Sequence, residues 1–447
     1  MVAMISHPQI ILQAALLLSC FLSDLPVSAA PTSRPADEAQ IVEAANGFAL
    51  ALYKGAVHDN ENLVISPYCT FISLAILREG AAGETAEAMR KLLGLSGKAD
   101  ADRNLLSGMN HFITGRNATE KNLICETANA FWFQQGVDPA NSFLANIRAG
   151  FAAEVKHGDF GGTGEALSKE INAWVNQQTH GKIKDLCTPD LLKGIRSTLI
   201  SAIYFHGHWI HPFQEERTRD ADFRPTATRR VTVKMMHREA VGDYYHGDGV
   251  QLTAIPYYTN EPNEGVADCQ FVLIMPDDPL GLANLEKTID LPTLNRWIRS
   301  SRPTEKQMEA AYKRQPAPDA DENEMKAWKR DWPLKEVRLD LPRFSIQTRL
   351  LLGSAMNAAG AAMVFDPAAD FSRMGKGVFM ANDVLQAARI DVDEKGTEAA
   401  AAQEYGLFGG SSGSPVTLTV DHPFMYLIRE STTGAILFVG RVCDPSK

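Results

Sequence analysis

The period of the apolar residues changes along this chain, and that change narrows its fold more than any other feature. In the first third the spacing is helical. Ile41, Ala45, Phe48, Ala49, Leu52 and Tyr53 share one face of a helix expected from about Asp37 to Lys54, with Gly55 as its stop. Ser66-Pro67 is a start signal for a second apolar helix reaching about Arg78. Gly83-Glu84-Thr85 breaks the chain before a third, which ends near Leu93. Further on, the apolar runs shorten to strand type: Leu123 to Gln134, Thr198 to Phe205, Thr228 to Met236, Phe271 to Met275 and Val337 to Leu341. Among them lies an amphipathic helix, Gly164 to Thr179, with Leu167, Ile171, Trp174 and Val175 on one side. A chain of this length can make one large domain or two to three ordinary ones.

Composition agrees with a globular chain: 447 residues, 45% hydrophobic and 22% charged. A formal net charge of −10 argues against general affinity for nucleic acid or an anionic membrane. At the N-terminus, Ile10 to Leu22 is an apolar run too short for a membrane span, and small residues at Val27 and Ala29 suit cleavage after Ala29. Residues 1–29 are therefore expected to be an export signal and the product secreted. No Lys or Arg precedes Ile10, and Leu17-Leu18-Ser19-Cys20 keeps lipid anchoring through Cys20 as an alternative. Residues 30–37, rich in Pro, Ser and Thr, form a disordered leader to a domain spanning 38–447.

If Cys20 leaves with the signal, Cys69, Cys125, Cys187, Cys269 and Cys443 remain, far apart and without CxxC spacing. They are expected to be small buried residues, not a disulfide framework or a metal site. Ser301 to Lys335 is dense in Lys, Glu, Asp and Pro, and is expected to be a charged surface insertion.

Several segments, in order, resemble motifs of the serpin family. Asn62-Leu-Val-Ile-Ser-Pro-Tyr-Cys-Thr through Leu77-Arg-Glu-Gly-Ala-Ala-Gly-Glu-Thr85 is similar to the family's second and third helices. Ile171-Asn-Ala-Trp-Val-Asn-Gln-Gln-Thr-His-Gly-Lys-Ile183 resembles the helix across the main sheet, and Ser201-Ala-Ile-Tyr-Phe-His-Gly-His-Trp209 the central strand. Ala369-Asp-Phe-Ser-Arg-Met374 resembles the segment after the late helix. Asp393-Glu-Lys-Gly-Thr-Glu-Ala-Ala-Ala-Ala402 and Asp421-His-Pro-Phe-Met-Tyr426 resemble the loop hinge and the C-terminal hairpin. The resemblance covers roughly Glu38 to Pro445. It implies about nine helices around three mostly antiparallel β-sheets, and a metastable native state with an exposed reactive loop at 396–415. It further implies a suicide-substrate inhibitor: a serine protease, or by extension a cysteine protease, forms an acyl-enzyme with the loop. The cut loop then enters the main sheet and drags the enzyme with it. The expected partner is that protease, in a covalent complex with a monomeric inhibitor, and no cofactor is called for. A non-inhibitory carrier or chaperone is the alternative.

The loop can be tested on its residues. A central strand must supply its backbone N–H groups, and no Pro lies between Pro367 and Pro415. From Thr397 the odd positions (Thr397, Ala399, Ala401, Gln403, Tyr405, Leu407, Gly409) are uncharged, whereas the even ones include Glu398 and Glu404. The four alanines Ala399, Ala400, Ala401 and Ala402 resist insertion least and lose no side-chain entropy on burial. Ladder hydrogen bonds worth roughly 0.5–1.5 kcal/mol each nearly cancel the cost of ordering the backbone, about 1–2 kcal/mol per residue. Side-chain burial and relief of strain in the unfilled sheet must supply the surplus. About fifteen residues at about 3.3 Å each carry the cut end on the order of 50 Å.

Counting from Gly396 as the family's loops run, the scissile bond falls at Gly410-Ser411, with Phe408-Gly409 as the alternative and Leu407 as another residue that can serve. No Lys or Arg occurs between Lys395 and Arg429, which disfavours trypsin-like targets and leaves elastase-, chymotrypsin- or subtilisin-like enzymes open. Gly409-Gly-Ser-Ser-Gly413 fits the Gly-x-Ser-x-Gly pattern of a hydrolase, but sits in a Gly/Ser run ending at Pro415 instead of between a strand and a helix. The family's polar cluster under the main sheet falls here on Ser66, Cys69, Ser201 and Gln386. Cys69 is a weak hydrogen-bonder and Gln386 does not titrate as His would. Trp209 takes the position of the breach tryptophan and Glu394 that of the hinge glutamate, whose usual partner is a lysine. Basic residues around the fourth helix are too few for a heparin site, and Asn117-Ala-Thr119 is a glycosylation sequon.

Overall fold

The computed structural model describes residues 36–114, 123–258, 268–316, 333–375, 384–397 and 415–447, with positions 321, 323, 324, 327, 328 and 331. The longer helices among them are α1 (Ala36–Ala56), α2 (Pro67–Gly80), α3 (Gly83–Leu92), α4 (Ala99–Thr114), α5 (Asn141–Phe151), α6 (Glu165–Gln178), α7 (Leu282–Thr288), α8 (Leu291–Ser300) and α9 (Glu305–Lys313). The strands are β1 (Leu63–Ile65), β2 (Leu123–Gln134), β3 (Glu154–Gly158), β4 (Ser197–His208), β5 (Arg219–Phe223), β6 (Val231–Gly247), β7 (Val250–Pro256) and β8 (Cys269–Pro276). They continue with β9 (Lys335–Pro342), β10 (Phe344–Leu351), β11 (Leu385–Val392), β12 (Gly396–Thr397), β13 (Val416–Thr419), β14 (Phe424–Glu430) and β15 (Ile436–Val442).

The main sheet runs β10-β11-β12-β4-β2-β3. A second runs β1-β15-β14-β8-β7-β6, and the long β6 carries it into a third with β5, β9 and β13. Of the strand-type runs, 123–134 is matched in full by β2, while Thr198–Phe205 and Phe271–Met275 extend outward as β4 and β8. Thr228 to Arg230 precede β6 instead of belonging to it. Arg229 is held off the sheet by an ion pair to Asp444 at 2.5 Å.

The core lies between the main sheet and the second sheet, filled by α1 and α2. α2 is almost wholly buried, from Pro67 to Leu77. A helix apolar all round can only be placed between two layers. Its start is as expected: Pro67 opens it and the Ser66 hydroxyl accepts from the Cys69 amide at 3.2 Å. α6 packs on the other face of the main sheet, where Leu167, Ile171, Trp174 and Val175 form a second apolar cluster with Ile200 of β4 and Leu385 and Ala387 of β11.

The charged insertion begins later than its composition suggests. Ser301 is buried and takes the Tyr244 amide on its carbonyl at 3.0 Å, and Arg302 pairs with Asp243 at 2.6 Å. Ser301 and Arg302 therefore belong to the body of the domain. The five cysteines Cys69, Cys125, Cys187, Cys269 and Cys443 are buried and unbridged.

Candidate functional site

β12 is two residues long and its place is specific. Gly396 and Thr397 pair antiparallel with His208 and Gly207 of β4, and Thr397 pairs with Val392 of β11. The hinge thus sits in the main sheet, between two strands that meet directly only at their far ends. Gly396 is there because nothing larger fits: a Cβ would fall 2.1 Å from the Gly207 carbonyl oxygen and 2.9 Å from His208 Cα. Thr397 is buried, its hydroxyl 2.6 Å from the Tyr257 phenol. Tyr257 stacks on Trp209 with centroids 4.5 Å apart, and the Trp209 indole donates to the Asp393 carbonyl at 3.0 Å. Trp209 is both a core aromatic and a tether for the hinge turn.

Glu394 has an arginine where the resemblance implied a lysine. Its carboxylate takes Arg343 on both oxygens at 2.6 Å and the Thr218 hydroxyl at 2.7 Å. Burial opposes its charge, but the hydrogen bonds from Thr218 and Arg343 prevail and hold the carboxyl below the ordinary glutamate value. Lys395 instead reaches Glu215 at 3.3 Å.

Below β12 the sheet is parted. β4 is fully paired with β2 and β11 with β10, yet β4 and β11 join only at Leu385–Ile200 and Gln386–Ser201, in parallel. Between that join and β12 is a narrow cleft lined by Ile203, Tyr204 and Phe205 of β4, Arg389 and Asp391 of β11, and Thr179, Lys182 and Ile183 beyond α6. The chain after α6 lies over this seam.

The lower join rests on a buried polar cluster at the start of α2. The Gln386 amide takes the Ser66 amide on its oxygen at 2.9 Å and donates to the Ser66 carbonyl at 2.8 Å and the Thr70 hydroxyl at 3.0 Å. Ser66 donates to the Leu437 carbonyl at 2.8 Å. Ser201 donates to Asn129 at 2.7 Å and shares a short hydrogen bond with Ser73. Cys69 makes only a long contact to the Ala202 carbonyl, 3.7 Å, and burial pushes its thiol up to about 12.

Ser66, Cys69, Ser201 and Gln386 are thus brought together, as are Trp209, Glu394, Gly396 and Thr397. Thr70, Ser73, Asn129, Thr218, Tyr257 and Arg343 complete the two clusters and were not found from sequence. Of these, Thr70 and Ser73 had a signal: hydroxyls on a helix otherwise apolar all round must meet a polar partner. Glu398, Ala399, Ala400, Ala401, Ala402, Phe408, Gly409, Gly410 and Ser411 lie outside the described residues, as do Cys20 and Asn117.

These features define an α+β protein whose main sheet is parted along its middle, with a hinge strand lodged at the mouth of the parting. The family model described as Serpin (serine protease inhibitor) matches residues 43–312 and 315–445, and the chain belongs to that family. A serpin-like protein of Methanosarcina acetivorans is 29% identical over 414 residues, 91% of this chain and 88% of its own. Human kallistatin shares the fold at a TM-score of 0.75 and 24% identity, covering 92% of this chain and 99% of that one. Human thyroxine-binding globulin does so at 0.75 and 24%, covering 92% and 100%. The family's general activity is protease inhibition.

Proposed function

We propose that this chain is an exported suicide-substrate inhibitor of serine proteases of elastase, chymotrypsin or subtilisin type, released by cleavage after Ala29. The observation that supports it is the open seam with β12 already in its mouth. Continuing the β12 register downward sets Ala399 opposite Phe205 and Ile390, and Ala401 opposite Ile203 and Ala388. Gln403 then falls opposite both Ser201 and Gln386, which already pair with each other. The two registers agree, so a strand threaded from β12 meets the lower join without a bulge. Its odd positions, uncharged in sequence, take the face on which Thr397 is buried.

The test is incubation of the purified protein with pancreatic elastase, chymotrypsin, subtilisin and trypsin, read on denaturing gels and by intact mass. The expected result is a stable band at the summed mass with one of the first three, and a released C-terminal peptide starting at Ser411 or Gly409. Loop cleavage by elastase, chymotrypsin or subtilisin with no covalent product from any of them would overturn the inhibitory assignment and leave a carrier or chaperone. Mass analysis of the exported protein checks the leader: a start at Ala30 supports it, and a lipidated Cys20 refutes it.

A further inference from the structure

The seam has a cover, and one of its side chains reaches two strands of the main sheet. α6 ends at Gln178, and the chain turns back at His180 and Gly181, both with positive φ (50° and 85°). The turn is built into the helix end: the Gly181 amide donates to the Asn176 carbonyl at 2.8 Å and the Ile183 amide to the Thr179 hydroxyl at 3.1 Å. Thr179, Lys182 and Ile183 consequently form one wall of the cleft. Any strand that fills the seam must pass beneath them.

The tie between this turn and the sheet differs from the one under α6. Under α6 an apolar cluster, which Ile183 of the turn joins, reaches both β4 and β11, and the Trp174 indole donates to Glu154 of β3 at 3.0 Å. At the turn, His180 Nε2 lies 2.8 Å from a carboxylate oxygen of Glu126 on β2, and its ring rests on Tyr204 of β4 at 4.4 Å. Glu126 and Tyr204 are directly opposite in the β2–β4 ladder, so one imidazole bridges both strands. Tyr204 is itself a wall of the cleft. A strand descending from β12 therefore reaches this polar tether before it reaches the apolar underside of α6.

We propose that His180 is a positioning residue, a latch that holds residues 179–183 over the seam and sets how fast a strand enters it. This rests on the inhibitory function above, where that rate decides whether the acyl-enzyme is trapped or hydrolysed. The groups facing the latch are Glu126 from β2, Tyr204 from β4, Lys182 from its own turn, and Arg389 and Asp391 across the cleft on β11.

The experiment compares full-length wild type with His180→Ala, His180→Gln, Glu126→Ala and the His180→Ala/Glu126→Ala double variant. Two quantities are read. One is the number of inhibitor molecules consumed per protease inactivated. The other, independent of trapping, is the half-time for conversion to a heat-resistant form after the loop is nicked. Loss of one exposed, charge-assisted contact is expected to speed conversion about two- to fivefold and to lower the number consumed. The double variant goes no further than the singles. Wild-type rates in the three single variants, or additive effects in the double, would overturn the latch. A nicked wild type that never traps protease, with conversion rates behaving as stated, sinks the inhibitory function and leaves the latch standing.

Discussion

The phenol oxygen of Tyr257 lies 2.6 Å from the hydroxyl oxygen of Thr397, in the interior, where the hinge enters the main sheet. Burial and this bond together keep β12 seated, since two ladder residues alone cannot. Tyr257→Phe keeps the ring on Trp209 and leaves the Thr397 hydroxyl buried without its partner, at a cost of about 1–3 kcal/mol. Faster hydrogen exchange at Gly396 and Thr397, with exchange in β14 and β15 unchanged, is the expected outcome.

Gly396 is required by close approach, not by its φ. Alanine would bring a Cβ to 2.1 Å from the Gly207 carbonyl oxygen, a backbone atom of a central strand that cannot move aside. Gly396→Ala should therefore expel β12 and block any strand that enters through it. Incubated with a protease it normally traps, the variant should be cut in the loop at an undiminished rate while the covalent band disappears.

Glu394 carries a pH signature whose sign is set by its partners. Its carboxyl lies below the ordinary glutamate value of 4.5, so its contribution is complete above that value. It is lost as pH falls through the lowered native value. Urea midpoints of wild type and Glu394→Gln should differ most at neutral pH and converge below about pH 4. Arg343→Ala removes the main partner, and its acid loss should begin at higher pH than in wild type.

How much of this was legible in the sequence depends on the physics of each element. α2 was, because Ser66-Pro67 fixes its start and its apolar residues leave no solvent face. Gly396 and the proline-free, charge-alternating stretch after it were also legible, since strand geometry imposes both conditions locally. Asn129, Thr218, Tyr257 and Arg343 were not. Each lies far in sequence from the residue it serves: Tyr257 is on the chain after β7 and Thr397 near the C-terminus, joined only by the folding of two sheets. The arginine at the breach illustrates the limit. The resemblance implied a lysine beside Glu394, and the partner is Arg343, one of whose guanidinium nitrogens reaches both carboxylate oxygens at 2.6 Å. The late start of the insertion was hidden for a related reason, because Arg302 looks like part of a charged run until Asp243 is seen beside it.

The register of an inserted strand is open to a direct test by two neighbouring charges. Ala401 would lie opposite Ile203 and Ala388, both in the apolar core, and Ala400 opposite Tyr204 and Arg389, on the outer face. Ala401→Glu asks the sheet to bury an unpaired carboxylate, which costs several kcal/mol, about the scale of the whole gain from seating that part of the strand. Ala400→Glu places the same group on the polar outer face, beside the Arg389 guanidinium. Stoichiometric titration against the trapped protease should therefore separate them: Ala401→Glu should behave as a substrate, and Ala400→Glu should still inhibit. If the two substitutions exchanged outcomes, the strand would enter one residue out of the register that β12 sets, with every side chain on the opposite face.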